Sequence, residues 1–285
     1  MTAGQSQIPE PRRCNIGPRT LAYDEVRPEH PQGNVLLLTG LGSNRLGWRG
    51  QLPVFGEKYR ALAIDHRDTG DSDHVNGDGA DADYSTADQA DDAAAFLRAM
   101  NAAPAHVVGI SMGGFIALNL ALRWPELVQS LTLVATSAGG ETHVRPDPAG
   151  LDALRPDFSL SPGERARRTY ALMTAPGFLD ANPKVADAIA ANAGYRPLTP
   201  ERYARQFRST RTHDVTAELG TIHVPTLVVH GDADPLVRHE NGQHLAAHIP
   251  GAEFITYPGT GHIPILERAE QFNRDALEFM ARADS

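Results

Sequence analysis

The stretch HVVGISMGGFIAL, residues 106–118, passes from β-branched residues through a serine flanked by glycines into an apolar run with helical spacing. A nucleophile held clear of a sheet must stand on a tight strand-to-helix turn. A Cβ at Gly109 or Gly113, two residues either side of Ser111, would collide where strand and helix meet. Ser111 falls at the end of an apolar strand and opens an amphipathic helix, which is the setting a Gly-x-Ser-x-Gly pattern needs before it carries chemistry. That helix ends at Trp124, the residue before Pro125.

A serine hydroxyl is a weak nucleophile until a base accepts its proton, and the base needs a carboxylate to hold it in the useful tautomer. For a serine on this kind of turn the chain order is Ser, acid, His, each on a loop at the C-terminal edge of the sheet. Behind the apolar run 225–229 stands HGDADP, residues 230–235, and behind the run 253–257 stands GTGH, residues 259–262. Asp234 is read as the acid: Asp232 adjoins the strand end as a capping residue, whereas Asp234 lies further out and is fixed by Pro235. Of the 12 histidines, His262 alone follows the acid on a glycine-rich loop after a strand, and it is read as the base. His239, His244 and His248 also follow the acid but lie in a helical stretch. His244 and His248 are four residues apart, as zinc ligands can be, yet the glutamate of an HExxH motif is absent and no metal is expected.

Two backbone N–H groups must then face the charge that develops on the attacked carbonyl. Met112, after the nucleophile, is one expected donor. Leu41 is the other, on the glycine-rich loop 39–43 behind the strand 35–38, unless that loop is a plain βα turn.

The same alternation runs along the chain. Apolar runs at 35–38, 61–64, 107–110 and 131–134 are separated by helical patterns, which indicates a parallel sheet covered on both faces. One intervening helix is expected to start at Thr86, with Gln89 completing a capping box and Asp88, Asp91 and Asp92 at the positive end of its dipole; Leu97 and Met100 face inward. Between residues 138 and 218 strand-like runs give way to proline-punctuated helical pieces such as 162–173 and 183–193. The sheet pattern resumes at 225–229 and 253–257, and a last helix is expected at 269–283. The organisation is a core of residues 1–137 and 219–285 carrying a helical insertion at 138–218.

The 285 residues suffice for one large α/β domain, and 41% hydrophobic with 21% charged residues is ordinary for a globular chain. A net charge of −9 and the lack of any Lys/Arg cluster beyond short pieces at 12–13 and 165–168 argue against nucleic acid as a partner. One cysteine, Cys14, excludes an internal disulfide. Residues 1–13 lack an apolar segment and no run reaches the roughly 18 apolar residues of a span, so no membrane partner is expected and a cytoplasmic location is. Two lysines against many arginines and alanines suggest a GC-rich bacterial source. A homodimer is compatible with the composition, which does not fix the oligomeric state. The aspartates at 71, 73, 78, 81 and 83 invite a calcium reading, but the glycine is out of EF-hand register and Ala82 stands where the bidentate Glu belongs, so a solvated acidic loop is expected.

With Ser111, Asp234, His262 and the two glycine-rich turns in hand, the chain resembles the α/β-hydrolase superfamily from about Leu21 to its end. DHRDTGDS, residues 65–72, is similar to that family's D-x-R-G-x-G-x-S segment, with Asp68 where glycine is usual; the HRDTG spelling and the Ser-Met-Gly turn are also similar to aclacinomycin methylesterase-type enzymes. The resemblance implies an eight-stranded, mostly parallel sheet with a helical cap inserted after the sixth strand. It also implies cofactor-free hydrolysis, through an acyl-enzyme, of a small-molecule ester or lactone. Many members carry His-Gly before the oxyanion residue; here the histidine is replaced by Thr39. Dehalogenases and most epoxide hydrolases of this fold use aspartate at the nucleophile position, and carbon–carbon hydrolases and proline iminopeptidases carry Asn or Trp beside the serine, none of which matches Ile110-Ser111-Met112. A perhydrolase or haloperoxidase-like activity and a non-catalytic small-molecule receptor remain as alternatives on the same residues. Gly40, Trp48, Tyr170, Met173 and Phe178 are candidate substrate-lining residues between core and cap.

Overall fold

The computed structural model describes residues 10–75 and 83–285. Eight strands form one sheet in the order β1-β2-β4-β3-β5-β6-β7-β8. They are β1 (Arg12–Asn15), β2 (Thr20–Val26), β3 (Asn34–Leu38), β4 (Arg60–Ile64), β5 (Ala105–Ile110), β6 (Val128–Val134), β7 (Thr226–Gly231) and β8 (Glu253–Tyr257). β1 and β2 run antiparallel to their neighbours, and every pairing from β4 to β8 is parallel. The helices are α1 (Leu52–Phe55), α2 (Thr86–Ala99), α3 (Met112–Arg123), α4 (Pro148–Ala153), α5 (Pro162–Met173), α6 (Phe178–Ala181), α7 (Pro183–Gly194), α8 (Pro200–Arg211), α9 (His239–His248), α10 (Pro264–Glu267) and α11 (Ala269–Ala283). Among the described residues no helix is long and apolar enough to cross a membrane.

The apolar runs become central strands because both faces of the sheet are covered. Successive residues alternate between two cores. Leu36, Leu38, Leu62, Ile64 and Val107 pack against α2, α3 and Leu245 of α9, while Val35, Leu37, Ala61, Ala63, Val108 and Ile110 pack against α1 and α11. β5 is buried along its whole length, between β3 and β6. Because β3, β5, β7 and β8 are parallel, the loops behind Leu38, Ile110, Gly231 and Tyr257 emerge at one edge.

The capping box of α2 sits one residue earlier than the sequence suggests: Ser85 and Asp88 exchange the capping hydrogen bonds. Thr86 is instead buried, its hydroxyl 3.3 Å from His213 Nδ1. The acidic loop also differs from a solvated one. Asp73 accepts from Thr20 N at 2.6 Å, Asp83 is ion-paired with Arg208, and Asp71 accepts from Tyr195 and Arg196; Asp78, Asp81 and Ala82 lie outside the described residues.

Candidate active site

Ser111 turns the chain from β5 into α3 with φ +55° and ψ −121°, a conformation that strains a residue carrying a Cβ. The corner is pinned: Ser111 N–H donates to Val134 O at 2.9 Å, and Ser111 O accepts from Thr136 Oγ1 at 2.8 Å. The flanking glycines are a steric requirement. A Cβ on Gly109 would lie 2.3 Å from Gly113 O, and one on Gly113 would lie 2.1 Å from Leu38 O.

Asp234 and His262, from the loops behind β7 and β8, are both 2% exposed and joined by a 2.8 Å bond from Nδ1 to Oδ2. Burial by itself would raise the Asp234 carboxyl, but the neighbouring His262 and His230 rings outweigh it and bring the pKa down to about 2. An ionised carboxylate only accepts, so Nδ1 of His262 carries the hydrogen that joins it to Asp234. The other carboxylate oxygen accepts from Leu236 N and Val237 N at 2.8 and 2.9 Å. His230, fully buried, donates from Nε2 to Val237 O at 2.7 Å and lies 3.3 Å from Asp234 Oδ2, so it fixes the acid from behind. Asp232 is exposed and accepts from Gly259 N at 2.7 Å, a turn contact between the two loops.

The loop 39–43 closes on itself through Ser43 N–H to Gly40 O at 3.2 Å. Where the resemblance leads one to expect a histidine in support, three other contacts stand. Thr39 Oγ1 reaches Ser43 O at 3.4 Å; His66 Nε2 reaches Thr39 O at 3.2 Å; and Gly42 N–H, at φ +72°, donates to Gln206 Oε1 at 3.0 Å. Burial lowers His66 to about 4 despite its bond to Thr39 O, so it is neutral at pH 7 and donates from Nε2. Gly40 approaches Ser111 so closely that a Cβ on it would lie 3.2 Å from Ser111 Cβ. Leu41, Ser111, Met112 and His262 all line one cavity of about 840 Å³.

Helices between β6 and β7 touch each of these loops. Met173 O, at the end of α5, accepts the His262 N–H at 2.7 Å, and Glu267 accepts from Ala175 N and Gly261 N at 2.7 and 3.1 Å. Pro235 O, beside the acid, accepts from Asp147 N at 2.9 Å. Asp68, fully buried with φ +69° at the position where glycine is usual, receives Arg205 Nε of α8 at 2.8 Å. In front of it Arg45, buried, binds Asp65, Asp71 and Asp24 at 2.6, 3.0 and 2.9 Å.

Gly40, Trp48, Tyr170 and Met173 line the cavity, as the sequence leads one to expect. Phe178 does not. Gly177 turns the chain at φ +75° and starts α6 there, a short helix packed on α5 and α7 outside the cavity wall. Sequence reasoning missed His230, Gln206, Arg205 and Glu267. Only Asp68 in a glycine position carried a signal for one of them, because an acid there needs a partner. His248 Nδ1 bonds its own helix at His244 O, and among the described residues no three His, Cys, Asp or Glu side chains are grouped to hold a metal.

A family model described as the alpha/beta hydrolase fold matches residues 33–269. A Pseudomonas syringae pv. syringae protein with the provisional name carbamate hydrolase RutD is 30% identical over 257 residues, 89% of this chain and 96% of that one. A Mycobacterium tuberculosis protein provisionally named non-heme bromoperoxidase BpoC is 30% identical over 268 residues, 92% of this chain and 97% of its own. Among solved structures, the enol-lactonase of Burkholderia xenovorans LB400 superposes with a TM-score of 0.80 at 23% identity, over 95% of this chain and 100% of that one.

Proposed function

The chain belongs to the α/β-hydrolase family, and from that premise we propose that it is a cofactor-independent serine hydrolase cleaving a carboxylic ester or lactone of a small organic molecule. The observation that carries this reading is the buried 2.8 Å bond of Asp234 to His262 in a chain whose strained serine lines the same cavity. His262 Nε2 accepts the Ser111 proton as Oγ attacks the carbonyl carbon. The oxyanion takes the N–H groups of Leu41 and Met112, and the imidazolium returns the proton to the departing alcohol. Water, deprotonated by the same nitrogen, then opens the acyl-enzyme and releases the acid. Residues 138–218 act as the cap of this reading and residues 1–137 with 219–285 as its core, a division that α4 to α8 support by lying between β6 and β7.

A fluorophosphonate probe labels the native protein and not Ser111→Ala, with p-nitrophenyl acetate turnover lost in the same variant. Equal labelling of both ends the reading. The carbamate in the P. syringae relative's name has the same kind of carbonyl, so carbamates are the second substrate class to assay. The M. tuberculosis relative's name favours a second reading, in which peroxide replaces water at the acyl-enzyme; peroxide-dependent peracid formation in acetate tests it. Tight binding of an ester with turnover at background would favour a receptor.

A further inference from the structure

Among the described residues the cavity wall contains no Asp or Glu. The chain has 35 of them in 285 positions, so a wall of more than fifty residues would carry about six at the average frequency. The cations are not thinned in this way: Arg49, Arg165, Lys184, Arg196 and Arg211 all line it.

Most arginines elsewhere are ion-paired, as in Arg45 with Asp65, Arg67 with Asp92 and Arg205 with Asp68, with Arg145, Arg155, Arg202, Arg268 and Arg274 the exceptions among the described residues. Arg196 at the cavity is ion-paired too, with Asp71 at 2.7 Å. The other four are different: among the described residues no carboxylate lies within 4.0 Å of Arg49, Arg165, Lys184 or Arg211. Arg165 donates to Leu160 O at 3.2 Å and rests over the Phe158 ring at 4.5 Å, and Arg49 donates to Asn192 Oδ1 at 3.2 Å. Three of the four come from α5, α7 and α8. A protein with a net charge of −9 repels anions on average, so a wall without carboxylates, whose four cations lack an ion-pair partner although Arg165 still acts on Asp157 from further away, makes a local positive field in an otherwise negative molecule. The rest of the wall mixes apolar residues, Trp48, Phe115, Ile189 and Leu198 among them, with polar ones such as Asn44, Thr169, Asn192 and His213.

Resting on the hydrolase reading above, we propose that the substrate is an anion: an ester or lactone with an apolar body and a carboxylate separate from the bond that is cut. The free carboxylate faces the cations of the inserted helices while the neutral acyl carbon sits over Ser111. Hydrolysis adds water across the acyl–oxygen bond: an ester yields a new carboxylate and a free alcohol, and a lactone opens to one molecule that bears a hydroxyl and a new carboxylate.

Two probes of matched length test this, mono-(p-nitrophenyl) glutarate and p-nitrophenyl pentanoate, which differ in a terminal carboxylate. At low ionic strength kcat/KM for the glutarate exceeds that for the pentanoate at least tenfold, and the ratio shrinks as salt screens the exposed cations. In Arg165→Gln/Lys184→Gln the ratio collapses toward one. In Arg98→Gln, an exposed cation of α2 paired with Glu126, it is kept. A wild-type ratio of one or less, or a ratio the double variant leaves intact, overturns the proposal. Calorimetry on Ser111→Ala separates the two readings: tenfold tighter binding of the glutarate ester without turnover in the wild type ends the hydrolase reading and leaves the anion preference standing, whereas equal binding of the two esters ends the anion preference alone.

Discussion

The strands around Ser111 and the helices inserted between β6 and β7 are built from different forces. β5 is buried residue for residue, and its neighbours contribute Leu36, Leu37, Leu38, Leu131 and Leu133 without measurable exposure. α5 and α6 have no fully buried residue, and the buried residues of α8 are Arg205, Gln206 and Ser209. The sheet is thus held by apolar burial, which is indifferent to direction. The insertion adds to the apolar contacts of Tyr170 and Met173 on the core a set of hydrogen bonds and ion pairs, which fix geometry more than they add stability. The difference teaches that the insertion's side chains are spent on aligning loops.

Five measurements break or sharpen that contrast. The largest effect belongs to the chemistry: Asp234→Asn lowers kcat/KM by about 10³–10⁴-fold, because the imidazole loses its tautomer, while the melting temperature moves little. A variant with unimpaired turnover would remove Asp234 from the mechanism. Next is the sheet: Gly113→Ala drives a Cβ to within 2.1 Å of Leu38 O and costs about 3 kcal/mol or more of global stability, read in urea unfolding. If unfolding is unchanged, the strand–helix contact is looser than the geometry states.

The insertion behaves otherwise. Arg205→Met leaves the buried Asp68 carboxylate without its α8 partner and accelerates amide exchange in α8 by about 10²-fold with the sheet still protected. Adding Asp68→Gly, which also relieves the left-handed strain, restores most of that protection. Parallel loss of protection in sheet and insertion would contradict the two-part picture. Gln206→Leu removes the acceptor of Gly42 N–H, and kcat falls about tenfold with KM nearly constant, as expected when an oxyanion donor drifts rather than disappears.

The smallest effect is graded with pH. Burial holds His213 at about 4, as it does His66, so both are neutral in the native protein and take up protons only on unfolding. Stability is therefore full above the unfolded histidine value of about 6.5 and declines as pH falls toward 4, by up to about 1.4 kcal/mol per pH unit for each ring. His213→Asn flattens that slope by one proton's worth in a series of urea titrations. A slope that is unchanged in the variant would mean His213 titrates freely.

What could be read from the sequence follows the same division. β3 to β8, α3, α11 and the Ser111, Asp234 and His262 loops were legible because apolar runs, glycines and a fixed chain order are local signals. β1 and β2 were not, since only Cys14 is buried in β1 and the outer half of β2 is only partly covered. The start of α2 was ambiguous because Ser85 and Thr86 each have a partner three residues on, and burial of Thr86 against His213 settles the register. The roles of Asp71 and Asp83 depend on Tyr195, Arg196 and Arg208, more than a hundred positions away, and no window of sequence contains both partners. The same holds for Gln206 and Gly42. Phe178 failed for a related reason: apolar residues in short helices look alike until the turn at Gly177 decides which way they point.

The reach of the inserted helices also sets how this scaffold can diversify. A chimera that received the corresponding segment from a relative would put at risk the Gln206 acceptor behind Gly42 and the Arg205 cation on Asp68 in one step, and would have to bring another backbone carbonyl under His262 and another N–H to Pro235. Recombination by whole segments is thereby penalised, and new specificity on this chain has to accumulate one residue at a time on a segment that stays in place.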